Sequence, residues 1–265
     1  MTAHVDAAAT LCGTLAIAGR ACPDAAAAVW RSSSACRSGP ADPKTCTIHL
    51  QTRTPLNMTE PIKSITLLRH GWSAADDERV HEGRYDSPLT DKGRGQVARL
   101  AARWVAERRM IDHLICSPLQ RAHETARLLG AALNVEPHPD DAWLEHDNSP
   151  VAGLPLEEVH RRFPHADVSP PHTPPFGPGS ESRAAMHRRA GAALEQLLTL
   201  PGAHVLVVAH GGILNAVMRN IVSAACPPGS GGAWFAFGDT GFTTLQYDVH
   251  HRWGILGVND QLHLR

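Results

Sequence analysis

The segment Val205-Leu-Val-Val-Ala209 is five consecutive apolar residues with no polar face, ending at His210-Gly211-Gly212. Such a run suits a strand covered on both faces, as in a parallel sheet, and the glycines after it let the chain turn tightly into a helix through Ile221. The rest of the C-terminal two thirds repeats the same theme. Ile62–Leu68 is a short β-rich run. Thr90 is a plausible N-cap for a helix carrying Val97, Leu100, Ala101, Trp104 and Val105 on one face. His113–Cys116 reads as a second strand, followed by a helix from about Leu119 to Leu133. Further helices are expected over Glu157–Phe163 and Ser182–Leu200, separated by a loop whose prolines, from Pro164 to Pro178, forbid regular structure. Thr243–Val249 and Trp253–Val258 close the chain as strands. The expected fold is a three-layer α/β/α sandwich with a mostly parallel central sheet and helices on both faces.

The first 57 residues lack this order. They hold four of the six Cys (Cys12, Cys22, Cys36, Cys46), no Glu, and alanine runs broken by Ser, Pro and Gly. No CxxC pair or His partner stands there at ligand spacing. Residues 1–19 contain no Lys or Arg to make the charged start of a secretory signal. Residues 1–57 are expected to be a low-complexity, disordered extension, and 58–265 the folded domain that carries the function; a sharper version has Met58 as the natural start. The cytoplasm is then the default compartment, with Cys116 and Cys226 reduced.

Charge narrows the function. Lys and Arg number 25 against 26 Asp and Glu, so there is no basic footprint for nucleic acid, and no run of about 18 apolar residues spans a membrane. Only three of the basic side chains are Lys (Lys44, Lys63, Lys92), and the rest are Arg, the bidentate binder of phosphate. Three strand ends carry polar residues where an open α/β sheet places its ligand: Arg69-His70-Gly71, Ser117-Pro118 with Arg121 a turn later, and His210-Gly211-Gly212. If the strands are parallel, two imidazoles and two guanidiniums converge. That much positive charge calls for an anion, and a phosphoryl group fits guanidiniums beside helix N-terminal amides. A His aimed by a hydrogen bond to its other nitrogen can attack phosphorus.

At these residues the chain resembles the histidine phosphatase superfamily, the phosphoglycerate mutase-like proteins. The resemblance runs from about Ile65 to Leu264. It rests on Leu68-Arg69-His70-Gly71, Asp86-Ser-Pro-Leu-Thr90 with Gly93, Ser117-Pro-Leu-Gln-Arg121-Ala122 with Thr125-Ala126, and Val208-Ala-His210-Gly-Gly212, in that order. The resemblance implies that His70 becomes phosphohistidine and that Arg69, Arg121 and His210 clamp the phosphoryl oxygens. It implies Glu145, in Leu144-Glu145-His146-Asp147, as general acid and base, with Asp147 the competing candidate. Like charge favours the protonated form of a carboxyl beside a dianionic phosphate. No metal and no cofactor is required, since the arginines and histidines supply the positive charge. The partner is a small phosphate ester, with no nucleic acid and no membrane. Monomer and homodimer both stay open, the C-terminal strands offering an edge for pairing. His146, His160, His165 and His172 are expected on solvated surface or in loops.

Departures from the family pattern fall among the substrate-binding positions Ser73, Asp76, Glu82, Gly83 and Gly211. Ser73 fits, but Asp76 stands where an Asn is usual and Glu82 where a Gln precedes the Gly. The two acids suit a substrate carrying positive charge, or form ion pairs with Arg79 or Arg84, the reading preferred here. The leading expectation is a phosphomonoester hydrolase. A phosphoglycerate mutase-type transfer and a catalytically silent phospholigand-binding module are the alternatives; the short proline-rich loop favours the hydrolase over the mutase, and the complete residue set argues against the silent module.

Overall fold

Strands and helices alternate over residues 63–226, 232–248 and 250–265, the residues that the computed structural model describes. In chain order they are β1 (Lys63–Arg69), α1 (Ala74–Glu78), α2 (Asp91–Ala106), β2 (His113–Cys116), α3 (Gln120–Leu133), β3 (Pro137–Pro139), α4 (Leu156–Arg162), α5 (Arg183–Thr199), β4 (His204–Ala209), α6 (Gly211–Ile221), β5 (Phe242–Tyr247) and β6 (Trp253–Asp260). The six strands form one sheet in the order β3-β2-β4-β1-β5-β6. Strands β1 to β4 run parallel, β5 runs antiparallel to β1, and β6 antiparallel to β5.

The apolar run at β4 explains the layering. Successive side chains of a strand point to opposite faces, so a strand apolar throughout needs cover on both. Val205, Val207 and Ala209 join Ile65 and Leu67 of β1 against Ala190 and Leu194 of α5 and Ile213 and Val217 of α6. Leu206 and Val208 join Leu68 on the other face, against Val97 and Leu100 of α2 and Ala122 and Leu129 of α3. Each fully buried Val or Leu contributes about 1.5–3 kcal/mol relative to exposure. The result is the expected three-layer α/β/α sandwich.

Local signals place the helix ends. Thr90 Oγ1 accepts from Gly93 N at 3.2 Å, and Ser182 Oγ from Ala185 N at 3.2 Å, each taking up an orphan donor of the first turn. Val105 departs from its expected place on the apolar stripe of α2: it is 51% exposed beside the fully buried Trp104. β3 and α1 were not expected. β3 is built around two prolines and survives because it is an edge strand bonded only to β2. α1 has five residues, too few for an apolar period to show. Between Pro164 and Pro178 the chain holds one short 3-10 turn, Ala166–Val168.

β6 forms the other edge of the sheet, with Ile255, Leu256 and Val258 partly exposed. Cys116 is buried, and neither it nor Cys226 is in a disulfide. No helix among the described residues is long and apolar enough to cross a membrane. Ile62 and Val249, expected at strand ends, and the whole 1–57 extension with its four cysteines lie outside the described residues.

Candidate active site

β4 lies between β1 and β2, all three parallel, so their carboxyl ends open side by side. His70 N donates to Ala209 O (3.1 Å) and Ser117 N to Val208 O (3.0 Å), which ties the three strand ends together. His70 and His210 are buried with ring centroids 5.1 Å apart.

His70 Nδ1 sits 2.8 Å from Gly71 O, an acceptor only, so Nδ1 carries the proton and Nε2 keeps its lone pair. Gly71 has to be glycine, because a Cβ there would stand 2.9 Å from Gly93 O. Arg121, in the first turn of α3, is fully buried and faces His70 Nε2 with its Nε at 3.3 Å. The other edge of its guanidinium is anchored to backbone, NH1 to Tyr85 O (2.8 Å) and NH2 to Gly83 O (2.7 Å). Gly83 adopts φ +47°, and a Cβ would collide with the buried Asn148 side chain at 2.0 Å. Asn148 in turn accepts from Arg84 N at 2.9 Å and holds the 81–85 turn.

Arg69 donates to Phe237 O (3.1 Å) and lies 3.5 Å from Asp239 and 3.9 Å from Asp76. His210 caps α6; its Nε2 lies 2.8 Å from Ser117 Oγ, while its Nδ1 is buried with no partner among the described residues. Burial, then Arg121, then Arg69 hold His70 well below the usual imidazole range, against the Gly71 carbonyl. Burial, Arg121 and the neighbouring His70 and Arg69 do the same to His210. Both rings are therefore neutral at physiological pH. A neutral ring with a free Nε2 is the nucleophilic form.

Glu145 reaches the same opening from the far side. Its carboxylate accepts from Gly212 N (2.7 Å) and Ile213 N (3.0 Å) at the start of α6, and from His146 N (2.8 Å). The helix terminus is an anion site, and here it holds the protein's own carboxylate. Arg189 positions this segment: it donates to Ala142 O and Leu144 O at 2.9 and 2.7 Å and pairs with Glu181 at 2.7 Å. Asp147 is occupied elsewhere, 3.0 Å from Arg84 and accepting from Ser149 N. Burial pushes its carboxyl up, but the Ser149 bonds and Arg84 outweigh that and hold it below its ordinary value.

The two unusual acids do form ion pairs, but not with Arg79 or Arg84. Asp76 faces Arg69, and Glu82 lies 3.1 Å from Arg121 Nε and 3.8 Å from His70 Nε2. Ser73 Oγ lies 2.9 Å from Asp76 and 2.5 Å from Glu82. Arg79 instead terminates α1 in a left-handed conformation, and Arg84 is taken by Asp147. Arg121, fully buried, needs counter-charge more than the exposed Arg79 or the partly exposed Arg84 does. His160, His165 and His172 are exposed and His146 lies in a loop, as expected; the His146 ring is in addition held, its Nε2 2.6 Å from Glu181 O and with Phe176 beside it.

Asn148, Asp239 and Arg189 carry no sequence signal as site residues, since each acts through contacts far away in sequence. Ser117 and Thr125 lie inside quoted motifs. What their motifs do not reveal is that Ser117 contacts His210, and that Thr125 Oγ1 accepts from Gly71 N at 3.2 Å.

Parallel strands that deliver two neutral imidazoles and a buried guanidinium to one opening, beside a helix N-terminus, define an α/β protein with a charged opening at the carboxyl edge of its sheet. The chain belongs to the histidine phosphatase superfamily (branch 1), whose pattern matches residues 65–261. It is similar to phosphoglycerate mutase-like protein 4 of Arabidopsis thaliana, 32% identical over 164 residues, 58% of this chain and 68% of that one. A bifunctional protein of Mycobacterium tuberculosis is 35% identical over 153 residues, 55% of this chain; the match spans only 40% of that relative's length. Among solved structures, Bacillus stearothermophilus YhfR superposes with a TM-score of 0.67 at 25% identity, covering 77% of this chain and 100% of that one. A mycobacterial glucosyl-3-phosphoglycerate phosphatase shares the fold, with a TM-score of 0.63 at 22% identity over 74% of this chain and 99% of its own.

Proposed function

We propose that the protein is a phosphomonoester hydrolase acting on a small phosphorylated molecule through a phosphohistidine at His70. The observation that carries this is the pinned His70 ring, Nδ1 on Gly71 O and Nε2 unprotonated beside Arg121. Nε2 attacks phosphorus as the ester P–O bond breaks, and Glu145 gives its proton to the departing oxygen. In the second half Glu145 takes a proton from water, the water oxygen attacks phosphorus, the P–N bond breaks and inorganic phosphate leaves. Arg69, Arg121 and His210 stabilise the oxygens of the transferring group, where positioning and electrostatics supply most of the catalysis. Ser73, Asp76, Glu82, Gly83 and the α6 amide at Gly211 line its approach. Because these groups already supply positive charge, the reaction is proposed to run without metal or cofactor, in the cytoplasm, on the 58–265 domain.

The test is His70→Ala against p-nitrophenyl phosphate. Turnover is expected to fall by roughly 10³-fold or more, and retained turnover overturns the reading. Release of free phosphate from 3-phosphoglycerate, rather than its isomerisation, separates hydrolase from mutase.

A further inference from the structure

A cavity of about 340 Å³ lies in the groove between α5 and α6, and its lining includes Arg69, Gly211 and Gly212. It therefore borders the phosphate site. Gly212 N is the donor that holds Glu145 at 2.7 Å, so the cavity also opens beside the proposed proton donor. A Cβ built on Gly211 meets nothing within 4 Å, which leaves this mouth clear. The oxygen that receives Glu145's proton belongs to the leaving alcohol, and the body of that alcohol has to lie on the Glu145 side.

The walls state what body fits. Met186, Ala216, Trp234 and Phe237 make them apolar, and Trp234 is 72% exposed, an unusual place for a large aromatic ring. Arg183 and Arg219 add positive charge, and no Asp or Glu is among the described residues that line the cavity. Both line this one cavity, Arg183 from the start of α5 and Arg219 from the last turn of α6. Arg183 is bonded to Ser169 Oγ (2.9 Å) and to the carbonyls of Ala166 (3.1 Å) and Ser169, groups that orient its charge without neutralising it. Arg219 stands eight residues along α6 from Gly211, roughly 12 Å at 1.5 Å per residue.

We propose that this groove holds the leaving group, and that the substrate is a phosphomonoester whose alcohol has an apolar body ending in a carboxylate or other anion held by Arg183 and Arg219. The inference rests on the hydrolase reading for which end of the substrate leaves. The binding it describes can be measured without catalysis.

Three non-hydrolysable probes separate the parts: ethylphosphonate, octylphosphonate and 8-phosphonooctanoate, titrated calorimetrically into the full chain. Affinity is expected to rise about tenfold or more from ethyl to octyl through apolar burial, and about tenfold again with the terminal carboxylate. Ala216→Leu narrows the groove and reduces the octyl-to-ethyl ratio. Arg183→Met reduces the carboxylate advantage to about twofold or less; because Arg183 also ties down Ala166 and Ser169, Arg219→Met is measured beside it and reads the same ratio. Equal affinities for the three probes, or a carboxylate advantage that survives in both Arg variants, overturn the inference. Graded binding without His70-dependent turnover refutes the hydrolase reading and keeps the groove, whereas turnover with a flat series does the reverse.

Discussion

Glu82 Oε1 lies 3.1 Å from the Nε of Arg121, the same nitrogen that faces His70 Nε2 at 3.3 Å. A carboxylate of the protein thus supplies counter-charge at this guanidinium edge. On the proposed function, substrate and Glu82 would compete for this one guanidinium edge. Ser73, at the start of α1, and Asp76 and Arg69 beyond it complete the polar surroundings of this carboxyl.

The competition depends on pH. Burial raises the Glu82 carboxyl above the ordinary carboxylate range, against the pull of Arg121 and Ser73. Protonated Glu82 no longer competes for Arg121, and ionised Glu82 does. Glu82→Gln is therefore expected to lower KM for p-nitrophenyl phosphate by about tenfold at pH 8, a gain of about 1.4 kcal/mol in binding, and by less at pH 5. A KM ratio between variant and parent that is flat across that range refutes the competition.

Arg121 is bound by two carbonyls on one edge and offers Nε on the other, a geometry that needs a planar fork. A Lys there keeps the charge but not both anchors. Arg121→Lys is expected to lose about 10²-fold in kcat/KM, the typical scale for one preorganised oxyanion donor. Steady-state kinetics with the folded variant, checked by circular dichroism, measures it.

Gly212 and Glu145 are coupled by space. A Cβ at position 212 would stand 2.4 Å from Glu145 Oε1, so Gly212→Ala displaces the carboxylate from the helix terminus. If Glu145 protonates the leaving oxygen, the loss depends on how much the leaving group needs the proton. An alkyl phosphate should slow by about 10²-fold and p-nitrophenyl phosphate distinctly less, since nitrophenolate departs unaided. Equal losses for both substrates argue against Glu145 as the acid.

Stability should fall with acidity. Burial, then Arg103, lower His263 to about 4, and its Nε2 lies 2.8 Å from Thr240 Oγ1. A base whose folded value lies below its unfolded one, about 6.5, contributes stability that is complete above about pH 6.5 and lost as pH falls toward 4. His70 and His210, shifted in the same direction, add to the loss. The His263 share is on the order of 2 kcal/mol between pH 7 and pH 4. Urea unfolding at several pH values measures it, and His263→Gln should flatten the pH dependence of the midpoint relative to the parent.

Which parts were legible follows from how far each signal reaches along the chain. The apolar run of β4, the Thr90 cap and the polar residues that follow β1, β2 and β4 are local patterns, so the sandwich and the places of Arg69, His70, Arg121 and His210 at its strand ends were readable without coordinates. β3 was hidden by its prolines, since only its position as an edge strand makes them tolerable. Val105 shows the resolution of a helical period, which marks a stripe but not where the stripe ends.

The amino-acid sequence by itself therefore determined the class of fold and the order of its chemistry-bearing strand ends, because a strand, its polar terminus and the following helix are neighbours in the chain. Only the tertiary structure decided which charges meet. The pairing of Glu82 with Arg121, of Asp76 with Arg69, and of Arg189 with the carbonyls before Glu145 joins segments 7 to 47 residues apart. The first and last of these exist because β4 inserts between β1 and β2 and α5 packs over one face, whereas Asp76 meets Arg69 across the turn that follows β1. No local periodicity encodes that crossover, and burial then selects the partners, since a guanidinium removed from water is stable only beside an acceptor or an opposite charge.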